Sequence, residues 1–144
     1  MSNKIIKAFS DKDSGFSTVT IQNKYGCFTG SSVCHEEDMP NFSSLAGQRY
    51  AEISAVIKYC TFRYKQEKLK YETMLKLQND INYLCLSSEE QKACKKIIRK
   101  INLKIRDYHQ SMDDWKNLAV HLKQSILKQD KDRQEILLRV KKDN

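Results

Sequence analysis

The stretch CKKIIRKINLKIRDYHQSMDDWKNLAVHLKQSI, residues 94–126, decides how this chain folds. Cys94, Ile101, Tyr108, Trp115 and Leu122 recur every seven residues, and Ile98, Ile105, Met112, Ala119 and Ile126 interleave with them. Steps of three and four keep all ten on one side of an α-helix. Carried on through Gln129, Arg133, Ile136 and Val140, the two series are apolar at twelve of fourteen positions, without a slip in phase. Such a heptad seam predicts a helix that packs lengthwise on another. Ser111 with Asp114 could cap a new helix, but a loop there would normally reset the phase. One helix over 88–142 is therefore expected, with a kink near Met112 allowed.

Ser87-Ser88-Glu89-Glu90 interrupts the pattern upstream, and Ser87 with Glu90 fits a capping box. Before it, residues 43–86 hold no proline, and Ser43 or Ser44 can cap a helix. Tyr50, Ile57, Tyr64, Tyr71, Gln78 and Cys85 form one heptad series, and Ala46, Ile53, Cys60, Glu67, Met74 and Ile81 the other. Glu67 and Gln78 are the polar exceptions. Two seams joined by about two residues must run antiparallel. The expected fold is thus mainly α, a long antiparallel coiled-coil hairpin (helices 43–86 and 88–142) of about 63 Å and about 80 Å.

Residues 1–42 are of another kind. Ser17-Thr18-Val19-Thr20-Ile21-Gln22 is β-branched and alternating, Asn23-Lys24-Tyr25-Gly26 supplies a turn, and Cys27 to Val33 can return. That predicts a small N-terminal β-hairpin, giving an α+β chain with residues 1–42 as hairpin and connector and 43–144 as helical hairpin. The segment Ser10 to Gly15 reads as a polar turn. A lone hairpin is marginal in water. The C-terminal overhang of the second helix (Ile136, Leu137 and Val140) is the expected surface for burying Val19, Ile21 and Phe28. Val56, Leu75, Leu77, Leu84, Ile97 and Leu118 lie off the seams. They either widen the intramolecular stripe or mark a homodimer contact.

The chain has 144 residues, 4 Gly and 1 Pro, too few turn residues for a doubly wound sheet or a β-barrel. No apolar run approaches the length of a membrane span. The formal charge of +8 is uneven: residues 1–44 sum to −1, 45–86 to +3 and 87–144 to +6. Five cysteines, an odd number, together with an N-terminus lacking an apolar export signal, point to a reduced cytosolic setting in a host cell.

Motifs for chemistry are sparse. Cys34 and His35 are adjacent, which is poor spacing for two ligands of one metal, and no CxxC or HxxxH pair completes a set. His109 and His121 lie about 18 Å apart along a helix. Phosphate-loop, GxSxG and HExxH patterns are lacking, and a helical hairpin offers no deep pocket. Neither an enzyme, a metal nor a cofactor is expected. The strongest charge feature is Lys92, Lys95, Lys96, Arg99, Lys100, Lys104 and Arg106, with no carboxylate between Glu90 and Asp107. The antiparallel pairing is expected to add Arg63, Lys65 and Lys70. Such a strip fits nucleic acid or an acidic or RNA-loaded protein; it fits equally a solvated lysine face. It carries no aromatic platform for stacking bases.

The run Asn23-Lys24-Tyr25-Gly26-Cys27-Phe28-Thr29-Gly30, with Cys34-His35-Glu36-Glu37-Asp38 and Gly47-Gln48-Arg49-Tyr50-Ala51-Glu52, resembles small uncharacterised phage and mobile-element proteins of Firmicutes. The likeness covers about residues 18–60. It implies a small accessory factor, and anti-defence roles such as CRISPR inhibition are frequent in that class. The expected function is a non-enzymatic inhibitor that binds a host nucleoprotein, most sharply an anti-CRISPR protein on an RNA-guided nuclease. The alternatives are a nucleic-acid-binding accessory protein and a structural or scaffold coiled coil.

Overall fold

The computed structural model describes residues 2–84 and 87–143, apart from the side chains at 83, 133, 134, 136, 137 and 140–143. The chain is mainly helical, with a three-stranded antiparallel sheet at its N-terminus. Strands β1 (Lys4–Asp11), β2 (Phe16–Asn23) and β3 (Gly26–Val33) lie in the order β1-β2-β3. A 3-10 helix over Glu36–Asn41 leads to α1 (Ser44–Tyr83), and α2 runs from Ser88 to Asp143. Two compact units result, one of Met1–Cys60 with Leu118–Asn144 and one of Thr61–Asn117.

The hairpin of β2 and β3 forms as its sequence dictates, with Asn23 paired to Gly26 and Gly26 at φ 131°. That left-handed backbone is open to glycine at no steric cost. The sheet has one strand more than expected. The polar turn is shorter than its composition indicates, because Ser10 and Asp11 end β1. Asp11 shapes that turn: its Oδ1 accepts from the Asp13 amide at 3.0 Å and its Oδ2 from Ser14 Oγ at 2.8 Å. These bonds hold the Asp11 carboxyl below its ordinary pKa, the Ser14 hydroxyl contributing most.

The sheet packs on the first turns of α1. Gly47, Ala51 and Ala55 recur every four residues and present almost no side chain. Ala51 and Ala55 are fully buried, as is Ile21, and Val19 is nearly so. A Cβ on Gly30 would collide with the Ala51 carbonyl oxygen and the Ala55 amide nitrogen, so backbone meets backbone there. Ser32 Oγ donates to the Gly47 carbonyl at 2.7 Å, Gln48 Nε2 to Ser10 Oγ at 3.1 Å, and Lys58 Nζ to the Thr29 carbonyl at 2.7 Å. Tyr59 closes the far end against Phe28 and Tyr25, with ring centroids 5.2 and 6.1 Å away. Buried Ser17 is satisfied by Ser10 Oγ at 2.9 Å. Burying Val19 and Ile21 stabilises by about 1.5–3 kcal/mol each, enough to order a sheet that would be marginal alone. The expected partners Ile136, Leu137 and Val140 lie outside the described side chains.

In the unit of Thr61–Asn117, α1 and α2 meet in antiparallel sequence: Arg63 with Trp115, Lys70 with Tyr108, Tyr71 with His109 and Gln78 with Asn102. Along α2 every seam position from Cys94 to Ile126 is at least half-buried, with Ile101 and Ala119 buried. α2 continues through Met112 as a helix. Ser43 Oγ caps α1, accepting from the Ala46 amide at 3.3 Å. Ser87 Oγ accepts from the Glu90 amide at 3.2 Å and donates to Glu90 Oε1 at 2.9 Å. The seam positions Cys85, Arg133, Ile136 and Val140 lie outside the described side chains.

Candidate binding surface

Lys92, Lys95, Lys96, Arg99, Lys100, Lys104 and Arg106 are all exposed on α2. Among the described residues, none of the seven stands within ion-pair distance of a carboxylate. Lys92, Lys95, Lys96 and Arg99 share a face by their i, i+3, i+4, i+7 spacing. Lys95, Arg99 and Arg106 line a groove of about 430 Å³ with Ile98, Asn102 and Leu103. All six lie on one flank of α2, and Leu103 is itself exposed there, so the cations border a shallow, open apolar patch. The Asn102 amide is fixed there by Gln78 Nε2, 2.8 Å from Asn102 Oδ1.

The residues expected to extend this strip from α1 do not all do so. The Arg63 side chain is only 12% exposed. It is drawn against Glu67 Oε1 at 3.5 Å and over the Trp115 ring at 5.2 Å. Trp115 lies nine residues beyond Arg106, about 14 Å along α2, so Arg63 is removed from the strip in position as well as in exposure. Lys70 is exposed, but its ammonium sits 3.3 Å from Glu67 Oε1 and 5.8 Å from the centre of the Tyr108 ring. Lys65 is exposed. The strip belongs to α2, and Glu67, a seam residue only 5% exposed, accounts for the loss of Arg63.

Of the off-seam apolar residues, Leu77, Leu84, Ile97 and Leu118 are exposed, whereas Val56 and Leu75 are half-buried. His109 Nδ1 lies 3.5 Å from Asp113 Oδ2, and the imidazole is tilted 59° to the Tyr71 ring at 5.4 Å. No group of three His, Cys, Asp or Glu side chains gathers among the described residues. Cys34 Sγ donates to the His35 carbonyl at 3.6 Å, and the imidazole is exposed.

The sheet end does hold a concavity, contrary to expectation. A cavity of about 500 Å³ opens between the end of β3, the 3-10 helix, the start of α1 and Ile126 and Asp130 of α2. His35, Asp38, Tyr50 and Asp130 are among its lining. Tyr50 and Phe42 line it beside Gly47, which belongs to the small-residue face of α1. A pattern of small residues at four-residue spacing, Gly47-Ala51-Ala55, was the available signal for the sheet's seat. Families of known proteins, curated proteins and solved structures were all compared with the chain, and none matches it.

Proposed function

We propose that this chain is a non-enzymatic accessory protein of a phage or mobile element that binds and inhibits a host nucleoprotein in the host cytosol. Residues 61–117 act as an antiparallel coiled-coil hairpin, and the exposed cations of α2 are its contact surface. The sharpest target is an RNA-guided nuclease of a CRISPR system, blocked sterically by the hairpin while the cations seat on the RNA that the nuclease carries. The observation that carries this reading is the run of seven exposed Lys and Arg side chains from Lys92 to Arg106 without a neighbouring carboxylate. Charges left uncompensated on a surface attract a polyanionic or anion-rich partner over a Debye length.

The test is capture from host lysate together with a plasmid-challenge assay. The expected result is co-purification of a nuclease subunit and loss of interference. Capture without any such subunit, with interference intact, contradicts the proposal.

Direct nucleic-acid binding is the second reading, and the cationic groove of Lys95, Arg99 and Arg106 favours it. It predicts a gel shift whose affinity falls steeply with salt. Changing Lys92, Lys95, Lys96 and Arg99 together to Glu abolishes that shift; a wild-type chain that shifts neither DNA nor RNA removes this reading.

A further inference from the structure

We propose that β1 is an edge through which two copies of this chain join, antiparallel and about a two-fold axis, into one six-stranded sheet. β1 lies at one end of the strand order, and its partner in the sheet is β2. Lys4 to Phe9 are exposed along their whole length. Ile5, Ile6 and Phe9 are each about half exposed. An edge of this kind presents free backbone donors and acceptors beside apolar side chains, a template for another strand. The opposite edge, β3, already has Lys58 Nζ on its Thr29 carbonyl.

The strand's own sequence, Lys4-Ile5-Ile6-Lys7-Ala8-Phe9-Ser10-Asp11, names the occupant. The register of β1 on β2 shifts between Ile5 and Lys7, so Ile6 and Lys7 together take one step of the ladder. With that step counted, three steps lie on either side of Ala8. A two-fold axis at Ala8 then sets Phe9 opposite the Ile6–Lys7 step of the second copy, Ser10 opposite Ile5, and Asp11 opposite Lys4. The faces agree as well. Ile5, Ala8 and Ser10 pair with Ile21, Val19 and Ser17 on one side of the sheet, and Lys4, Phe9 and Asp11 with Gln22, Thr18 and Phe16 on the other.

Each of these contacts occurs twice. Lys4 meets Asp11 with opposite charge, Phe9 meets the Lys7 stem of the Ile6–Lys7 step, and Ala8 brings little bulk to the axis. Without the bulge, the same centre would set Lys4 against Lys12, like against like. Asp11 keeps lone pairs for the ammonium beyond its bonds to Asp13 and Ser14.

Sedimentation velocity on the full chain over a concentration series tests this, with circular dichroism to confirm that each variant is folded. The expected result is a dimer whose dissociation constant rises about tenfold or more in Lys4→Glu and in Phe9→Lys, because each change acts at two symmetric contacts. Amide exchange of β1 in the wild-type chain gives a reading free of substitutions: protection of Ile5 to Ser10 should grow with protein concentration. A chain still monomeric at about 100 µM overturns the proposal. So does a dimer untouched by both substitutions but dissolved by Ile97→Glu, and so does β1 protection that does not change with concentration. The results for Lys4→Glu, Phe9→Lys and β1 exchange are independent of the cations of α2.

Discussion

A Cβ on Gly30 would run into the backbone of α1 at Ala51 and Ala55, and backbone cannot rotate away as a side chain can. Gly30→Ala is expected to destabilise the protein by about 3 kcal/mol, read from the shift of the urea midpoint. An unshifted midpoint would mean that sheet and helix are not in direct contact. Cys60 and Cys27 offer a second contrast. Cys60 is fully buried, and burial pushes its thiol pKa up, whereas Cys27 is exposed. Iodoacetamide at mildly alkaline pH should label Cys27 well before Cys60, with the difference erased in denaturant; equal rates in the folded protein would contradict the packing around Tyr59. The sign for stability follows. Above the ordinary thiol pKa of 9.0 the unfolded chain loses the proton that folded Cys60 keeps, so this residue's contribution is present below that pH and declines as pH rises through it.

At the scale of elements, the two helices were legible because apolar residues recur at helical spacing through both, and from Cys94 to Ile126 those positions are at least half-buried. Their caps were legible too, through Ser43 and through Ser87 with Glu90. Strand β1 was hidden by its bulge. Ile5, Ile6, Ala8 and Phe9 follow neither a period of 2 nor one of 3.6, because the extra residue shifts the alternation midway. The seat of the sheet was hidden by a bias in reading helices. Large apolar residues advertise a contact, while Gly47, Ala51 and Ala55 make theirs by being small. Glu67 looked like a flaw in the seam and is a buried partner of Arg63 instead. Glu67→Ala should cost about 3 kcal/mol, since it leaves the Arg63 guanidinium shielded without its carboxylate. Lys70→Ala should cost under about 1 kcal/mol, because Lys70 is half exposed. Equal losses in the two variants, measured by urea unfolding, would contradict this division of roles.

Over the whole molecule, the excess of +8 is concentrated after residue 87, and its densest part is the side of α2 that no described carboxylate neutralises. The strip itself was legible because an acid-free run of sixteen residues, 91–106, is visible in any sequence. The defection of Arg63 was not, since it depends on Glu67 and Trp115 meeting across two helices. None of the described helices is long and apolar enough to cross a bilayer. The most direct measurement is plasmid challenge in a host carrying an active RNA-guided nuclease. It compares the wild-type chain with the variant in which Lys92, Lys95, Lys96 and Arg99 are all Glu, both shown to be folded by circular dichroism. The proposed function predicts that the wild-type chain protects the targeted plasmid and the variant does not; failure of the wild-type chain to protect, or equal protection by both, would contradict it.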